Sequence, residues 1–184
     1  MQTSSTSQSD GGNANAVRLD PWGKGDLALL KKLLGDPVMT KHLGGPETDE
    51  QLAKRQARYE QLTEAGAGRV LKVILLSTGE AVGSVGYWDS VHHEESIYEM
   101  GWSVLPAFQG RGIAHAAATQ AIALAMLDGK HRFLHAFPSF DNPSSNALCR
   151  KLGFTLVEEI TGEYPKGSFM QCNDWRLDLS EQNH

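Results

Sequence analysis

Positive charge is in short supply in this chain: 17 lysines and arginines stand against 22 aspartates and glutamates, a formal net charge of −5. No run of Lys or Arg occurs to hold a phosphodiester backbone, so a nucleic-acid partner is not expected. Cysteine is nearly absent. Cys149 and Cys172, the only two, lack metal-ligand spacing and are too sparse for a disulfide scaffold, which points to a reducing compartment. Long apolar runs are missing as well, with none near the roughly eighteen residues of a membrane span. The N-terminus has neither the basic start nor the apolar core of a secretion signal. A membrane is therefore not an expected partner, and the expected location is cytoplasmic.

What is present suits one core. A length of 184 residues with 40% apolar and 21% charged residues is enough for one domain and too little for two. Residues 1–15 are Ser, Thr, Gln, Asn, Gly and Asp with almost nothing to bury, and read as a disordered tail. The domain is expected over 16–179, followed by a short C-terminal tail, 180–184.

Ala16 to Leu19 reads as a first strand, and Leu27, Leu30, Leu33 and Leu34 form the apolar stripe of a helix ended by Gly35-Asp36-Pro37. After a loop of mixed polarity, 38–47, Thr48 to Gln51 has the form of a capping box opening a second helix that runs to the glycines at 66 and 68. Strands over 69–76 and 81–88 flank the hairpin signal Ser77-Thr78-Gly79-Glu80. His92-His93-Glu94-Glu95 lacks further ligands at a fixed spacing, so it reads as a solvated turn, and no metal is expected.

The strand over 96–104 alternates. Tyr98, Met100, Trp102 and Val104 point one way, and Ile97, Glu99, Gly101 and Ser103 the other, which places a carboxylate among small residues with room for a ligand. Next comes Gln109-Gly110-Arg111-Gly112-Ile113-Ala114, entering an alanine-rich helix ended by Asp128-Gly129-Lys130. The glycines let a ligand approach the backbone, and the helix start leaves amide N–H groups without intrahelical partners. With the helix dipole and Arg111, this loop suits a phosphate or pyrophosphate. A Walker loop is excluded for lack of Gly-Lys-Ser/Thr, and the dinucleotide fingerprint for lack of its third glycine and ribose-binding acid. A central strand over 132–137 then implies a parallel crossover. Asn142-Pro143 opens a helix closed by Gly153, and two strands, near 154–161 and 168–179, flank a loop containing Tyr164, Pro165 and Lys166. The whole is a mixed α/β sheet flanked by helices.

Gln109-x-x-Gly112-x-Ala114, followed by Asn142-x-x-Ser145 and then by Lys151-Leu152-Gly153-Phe154, resembles the GNAT superfamily of acyl-CoA-dependent N-acyltransferases. The likeness is specific over 97–154 and looser over 17–178. It implies a single GNAT-like domain whose central strands splay apart around acetyl-CoA as co-substrate, and transfer of the acetyl group to a primary amine, a protein N-terminus or a small molecule. Ser103 and Val104 would lie along the pantetheine, Gln109, Gly110, Arg111, Gly112, Ile113 and Ala114 on the pyrophosphate, and Asn142 and Ser145 against the pantetheine arm. Asn142 before Pro143 is equally a helix cap. Glu99 matches the position from which many members supply a general base. Where many members carry a tyrosine that protonates the leaving thiolate, this chain has Cys149, either the acid or a buried thiol that packs as a small hydrophobe. The alternative to an enzyme is a non-catalytic acyl-CoA-binding or sensing module that has lost the acid. A homodimer is compatible with the chain, and the acceptor would meet loops 38–47, 88–95 and 161–168.

Overall fold

The computed structural model describes residues 14–163 and 167–181. Most of the tail expected over 1–15, the loop residues Tyr164 to Lys166 and the end of the chain therefore lie outside the described residues. Of the short tail expected from 180, Ser180 and Glu181 instead continue as a 3₁₀ turn from Leu179.

Seven strands form one sheet: β1 (Val17–Pro21), β2 (Gly68–Leu75), β3 (Ala81–His92), β4 (Glu95–Val104), β5 (Phe133–Ala136), β6 (Thr155–Glu163) and β7 (Phe169–Asp178). Their order is β1-β2-β3-β4-β5-β7-β6, and every pair is antiparallel except β4–β5. A parallel pair needs a long crossover, and helix α3 (Ile113–Asp128) supplies it. Its alanines carry the packing: Ala117, Ala118, Ala121 and Ala125 are at most 1% exposed, so the helix backbone lies close on the sheet. Helix α4 (Pro143–Lys151) packs into the same core through Cys149. Helices α1 (Leu27–Leu34) and α2 (Asp49–Leu62) form a second apolar cluster with Trp22 and Val70.

The capping box of α2 forms as the sequence suggests, with the Gln51 N–H reaching Thr48 Oγ1 at 3.3 Å and the Thr48 N–H reaching Gln51 Oε1 at 2.7 Å. The far end of α3 is clamped to the sheet, where Asp128 accepts from Arg69 at 2.6 Å and from the Tyr87 hydroxyl at 2.5 Å. A carboxylate at a helix C-terminus opposes the dipole, and the Arg69 guanidinium offsets it.

One expectation changes. The turn read at His92-His93 is narrower than the sequence suggests, because β3 runs through His92 and only His93 and Glu94 turn, with φ of 48° and 64°. Two consecutive left-handed residues match the right-handed strand twist of a two-residue hairpin, a conformation that side chains other than glycine adopt rarely. His92 is consequently a sheet residue and not part of a solvated turn.

Candidate active site

Cross-strand register fixes which side chains share a face. In β3–β4 the pairs Ser84–Ser103, Gly86–Gly101, Trp88–Glu99 and Ser90–Ile97 lie on one face, and the register is unbroken from Val104 to Glu95. Across the parallel pair Glu99 stands opposite His135, and beyond it Asp174 and Glu158 face each other on β7 and β6. Ser103, Gly101 and Glu99 therefore lie on one face, as their alternation in sequence indicates.

The decisive feature is where β4 and β5 part. Tyr98–Leu134 and Glu99–His135 are their only paired positions among the described residues, so from Met100 onward β4 has lost its neighbour on that side. A cavity of about 500 Å³ opens there. Residues from both faces line it, Gly101 and Ser103 from one and Met100 and Trp102 from the other, as an open sheet allows. Ser145, at the start of α4, also lines it. Gly101 leaves room for its neighbour, since a Cβ there would lie 3.2 Å from the indole of Trp88 and the ring would have to shift by a few tenths of an ångström.

Glu99 sits at the fork. Its carboxylate is largely buried, and that burial pushes its pKa above the ordinary 4.5. Hydrogen bonds from Ser90, at 3.2 Å, and Trp88, with the charge of Arg58, pull in the opposite direction and only partly offset it. A carboxyl poised in this way is a better proton acceptor than a solvated one.

The glycine loop lies outside the cavity, at the end of β4. Gly110 and Gly112 have φ of 71° and 77°, so both positions need glycine for conformation as well as for access, and a Cβ at either would meet nothing within 4 Å. Ala116 N–H is bonded to Gly112 O at 3.0 Å, which leaves the amides of Ile113, Ala114 and His115 at the helix start without intrahelical acceptors. Two side chains of this loop are occupied. Gln109 donates to Val104 O at 2.8 Å and so braces the loop against β4, while Arg111 donates to Asn15 at 2.9 Å and lies over the Phe108 ring. Val104 itself is 7% exposed and belongs to the core, leaving only its backbone for a ligand.

Asn142 caps α4, its Oδ1 accepting from Ser145 N–H at 3.1 Å, so that oxygen is committed to the helix. The sequence offered no signal for Asn146. It is 4% exposed and gives its amide to the carbonyls of Ser139 and Asn142, while its oxygen accepts from Asn173 and Trp175, fixing the start of α4 to β7.

Cys149 corrects the candidate list. Its thiol is fully buried against the core, does not line the cavity, and burial pushes its pKa up to about 12. Such a thiol stays protonated at neutral pH and is a poor donor to a group it does not reach. Cys149→Ala should lower stability by roughly 1 kcal/mol through the small cavity it leaves, while turnover changes by less than about tenfold. Denaturant melts and steady-state kinetics check both.

The fold has many solved counterparts. An acetyltransferase from Salmonella typhimurium that modifies the N-terminal serine of ribosomal protein L7/L12 is 20% identical, with a TM-score of 0.72 over 88% of this chain and 94% of that one. Spermidine N-acetyltransferase from Vibrio cholerae, solved with CoA and spermine, is 16% identical, with a TM-score of 0.73 over 89% and 96%. The yncA protein of Salmonella typhimurium, solved with acetyl-CoA, is 23% identical, with a TM-score of 0.68 over 89% and 94%. No curated protein sequence matches the chain. The sequence profile of the acetyltransferase (GNAT) domain, however, matches residues 16–155, most of the chain and all of the fork, loop and crossover helix, and the chain belongs to that family.

Proposed function

We infer that the chain is an acetyl-CoA-dependent N-acetyltransferase whose acceptor is a primary amine, a peptide N-terminus or a small-molecule amine, bound beside Glu99. The observation that carries this reading is the placement of Glu99 at the last paired position before β4 and β5 separate, facing the cavity. Pantetheine takes the vacant strand position beside Gly101 to Val104. The pyrophosphate rests on the amides from Gly110 to Ala114, with Gln109 holding the loop and Arg111 at its rim.

The acceptor enters as an ammonium and gives a proton to the Glu99 carboxylate. Its nitrogen then attacks the thioester carbonyl, and a backbone N–H of the unpaired part of β4 holds the oxyanion. Collapse breaks the carbon–sulfur bond and releases CoA thiolate. After attack the nitrogen again carries one proton more than the amide keeps, and Ser145, which lines the cavity, relays that proton to the thiolate, its hydroxyl giving one proton to sulfur, directly or through a water, as it takes one from nitrogen. This assignment replaces Cys149.

The cavity mouth limits the acceptor. Leu43, Val91, His92, Gly162 and Glu163 line it, drawn from the three stretches that the sequence marks as acceptor-facing, and Arg55, Arg58 and Tyr59 of α2 close one side. The test is a panel of α-amino peptides, aliphatic monoamines and polyamines with acetyl-CoA, read as kcat/KM. Acetylation of one amine class well above the others supports the reading. No product with any of them contradicts it.

A further inference from the structure

Three ionisable side chains next to the fork have no part in the scheme above. Asp174 on β7 is fully buried, its side chain 1% exposed, and its two oxygens are held by histidines: His92 Nε2 at 3.0 Å and His135 Nδ1 at 2.6 Å. A buried carboxylate needs donors, and an ionised one only accepts. Each histidine therefore carries its proton on the nitrogen that faces Asp174, which fixes both tautomers and leaves one bare nitrogen per ring.

The two bare nitrogens differ. His135 Nε2 is buried with no hydrogen-bond partner, and protonating it would bury an N–H without an acceptor. His92 has an 18% exposed side chain and lines the acceptor cavity, so its Nδ1 can gain a proton while Asp174 offsets the charge that appears. Ser90 precedes His92 on the same face of β3, and its hydroxyl already donates to Glu99 at 3.2 Å.

We propose that His92, oriented by Asp174, receives from Glu99 the proton that the acceptor amine gives up, with the Ser90 hydroxyl between them. This rests on the assignment of Glu99 as the base. The ammonium N–H breaks as the Glu99 O–H forms. Glu99 then passes its proton through Ser90 and a bridging water to His92 Nδ1, returning to carboxylate, and the imidazolium releases the proton to solvent at the exposed end of the hairpin. A hydroxyl serves such a step because it donates and accepts at once. The other charged or titratable groups around His92 are Glu99 and Glu95 on β4, His93 beside it, and Glu158 on β6, which is bonded to His93 at 2.6 Å.

Two measurements on the full chain test this. Imidazole nitrogen spectra should show His92 as the Nε2–H tautomer, and Asp174→Asn should abolish that preference. The Nδ1–H tautomer at His92 would overturn the proposal whether or not any amine is acetylated. In kinetics, His92→Ala should lower kcat at least ~tenfold at neutral pH with the KM for acetyl-CoA unchanged, and added imidazole should restore part of the loss. His93→Asn should leave the pH profile as in the wild type. A His92→Ala loss that imidazole does not touch, with an unshifted pH profile, would reduce His92 to a packing role. Failure of Glu99 as the base is distinguishable, since Glu99→Gln would then turn over normally while the His92 tautomer stayed as described.

Discussion

Glu99→Gln should lower turnover at least ~hundredfold at neutral pH, the size of effect general bases commonly have, and should recover part of it as pH rises. Recovery is the diagnostic part, because at high pH the amine loses its proton unaided. The loss depends on the acceptor. Neutralising a lysine-like amine at pH 7.4 requires about 4 kcal/mol, whereas an α-amino group requires under about 1 kcal/mol, so an N-terminal acceptor should lose less. For the wild type, the acid limb of the pH profile should lie above 4.5, since burial raises the Glu99 pKa from that value and activity is lost as pH falls through it.

Stability should move the other way. A carboxyl whose folded-state pKa is raised favours folding below its unfolded pKa, and this advantage is lost as pH rises through the folded one. Above the folded pKa the wild type carries an ionised, poorly solvated carboxylate, and there Glu99→Gln should melt at the same temperature or higher. A variant with normal turnover, or one that only raises the Michaelis constant of the amine, would leave Glu99 as a counter-charge and not a base.

Gly112→Val should abolish acetyl-CoA binding. Wild-type protein at a hundred times the dissociation constant should gain about 2.7 kcal/mol of stability from the ligand, and the variant none. Two causes act together. The side chain would occupy open space in front of the first helix amides, and φ of 77° is strained for a β-branched residue. The strain costs roughly 1–3 kcal/mol, so the variant should also melt lower without ligand. Gly112→Ala separates the causes, since it brings a smaller penalty of roughly 1–2 kcal/mol and a methyl group only. A native circular dichroism spectrum with full acetyl-CoA stabilisation in either variant would place the pyrophosphate elsewhere.

Much of this architecture was legible in the sequence, and the reason is local. Thr48 and Gln51, Asn142 and Pro143, and the glycines at 110, 112, 129 and 153 set helix ends through nearest-neighbour chemistry, and two-residue alternation put Glu99 beside Gly101 and Ser103. Longer-range features were hidden. His92 read as part of a solvated turn because nothing near it in sequence shows that Asp174 and His135 lie across the sheet. Cys149 stayed ambiguous for the same reason, since its distance from the cavity is a property of how α4 packs. Gln109 and Arg111 read as phosphate ligands, yet Gln109 is spent on Val104 O and Arg111 reaches toward Asn15 and Phe108. Backbone amides remain the loop's main offering to an anion.

The most direct test is to incubate the purified chain with acetyl-CoA and a peptide bearing a free α-amino group, or an aliphatic amine, and to quantify free CoA and N-acetylated product together. Equal amounts of the two, formed by the wild type and not by Gly112→Val, are the predicted result. Binding of acetyl-CoA without release of CoA in the presence of any amine would contradict it, and would make the chain an acyl-CoA-binding module on an enzyme fold.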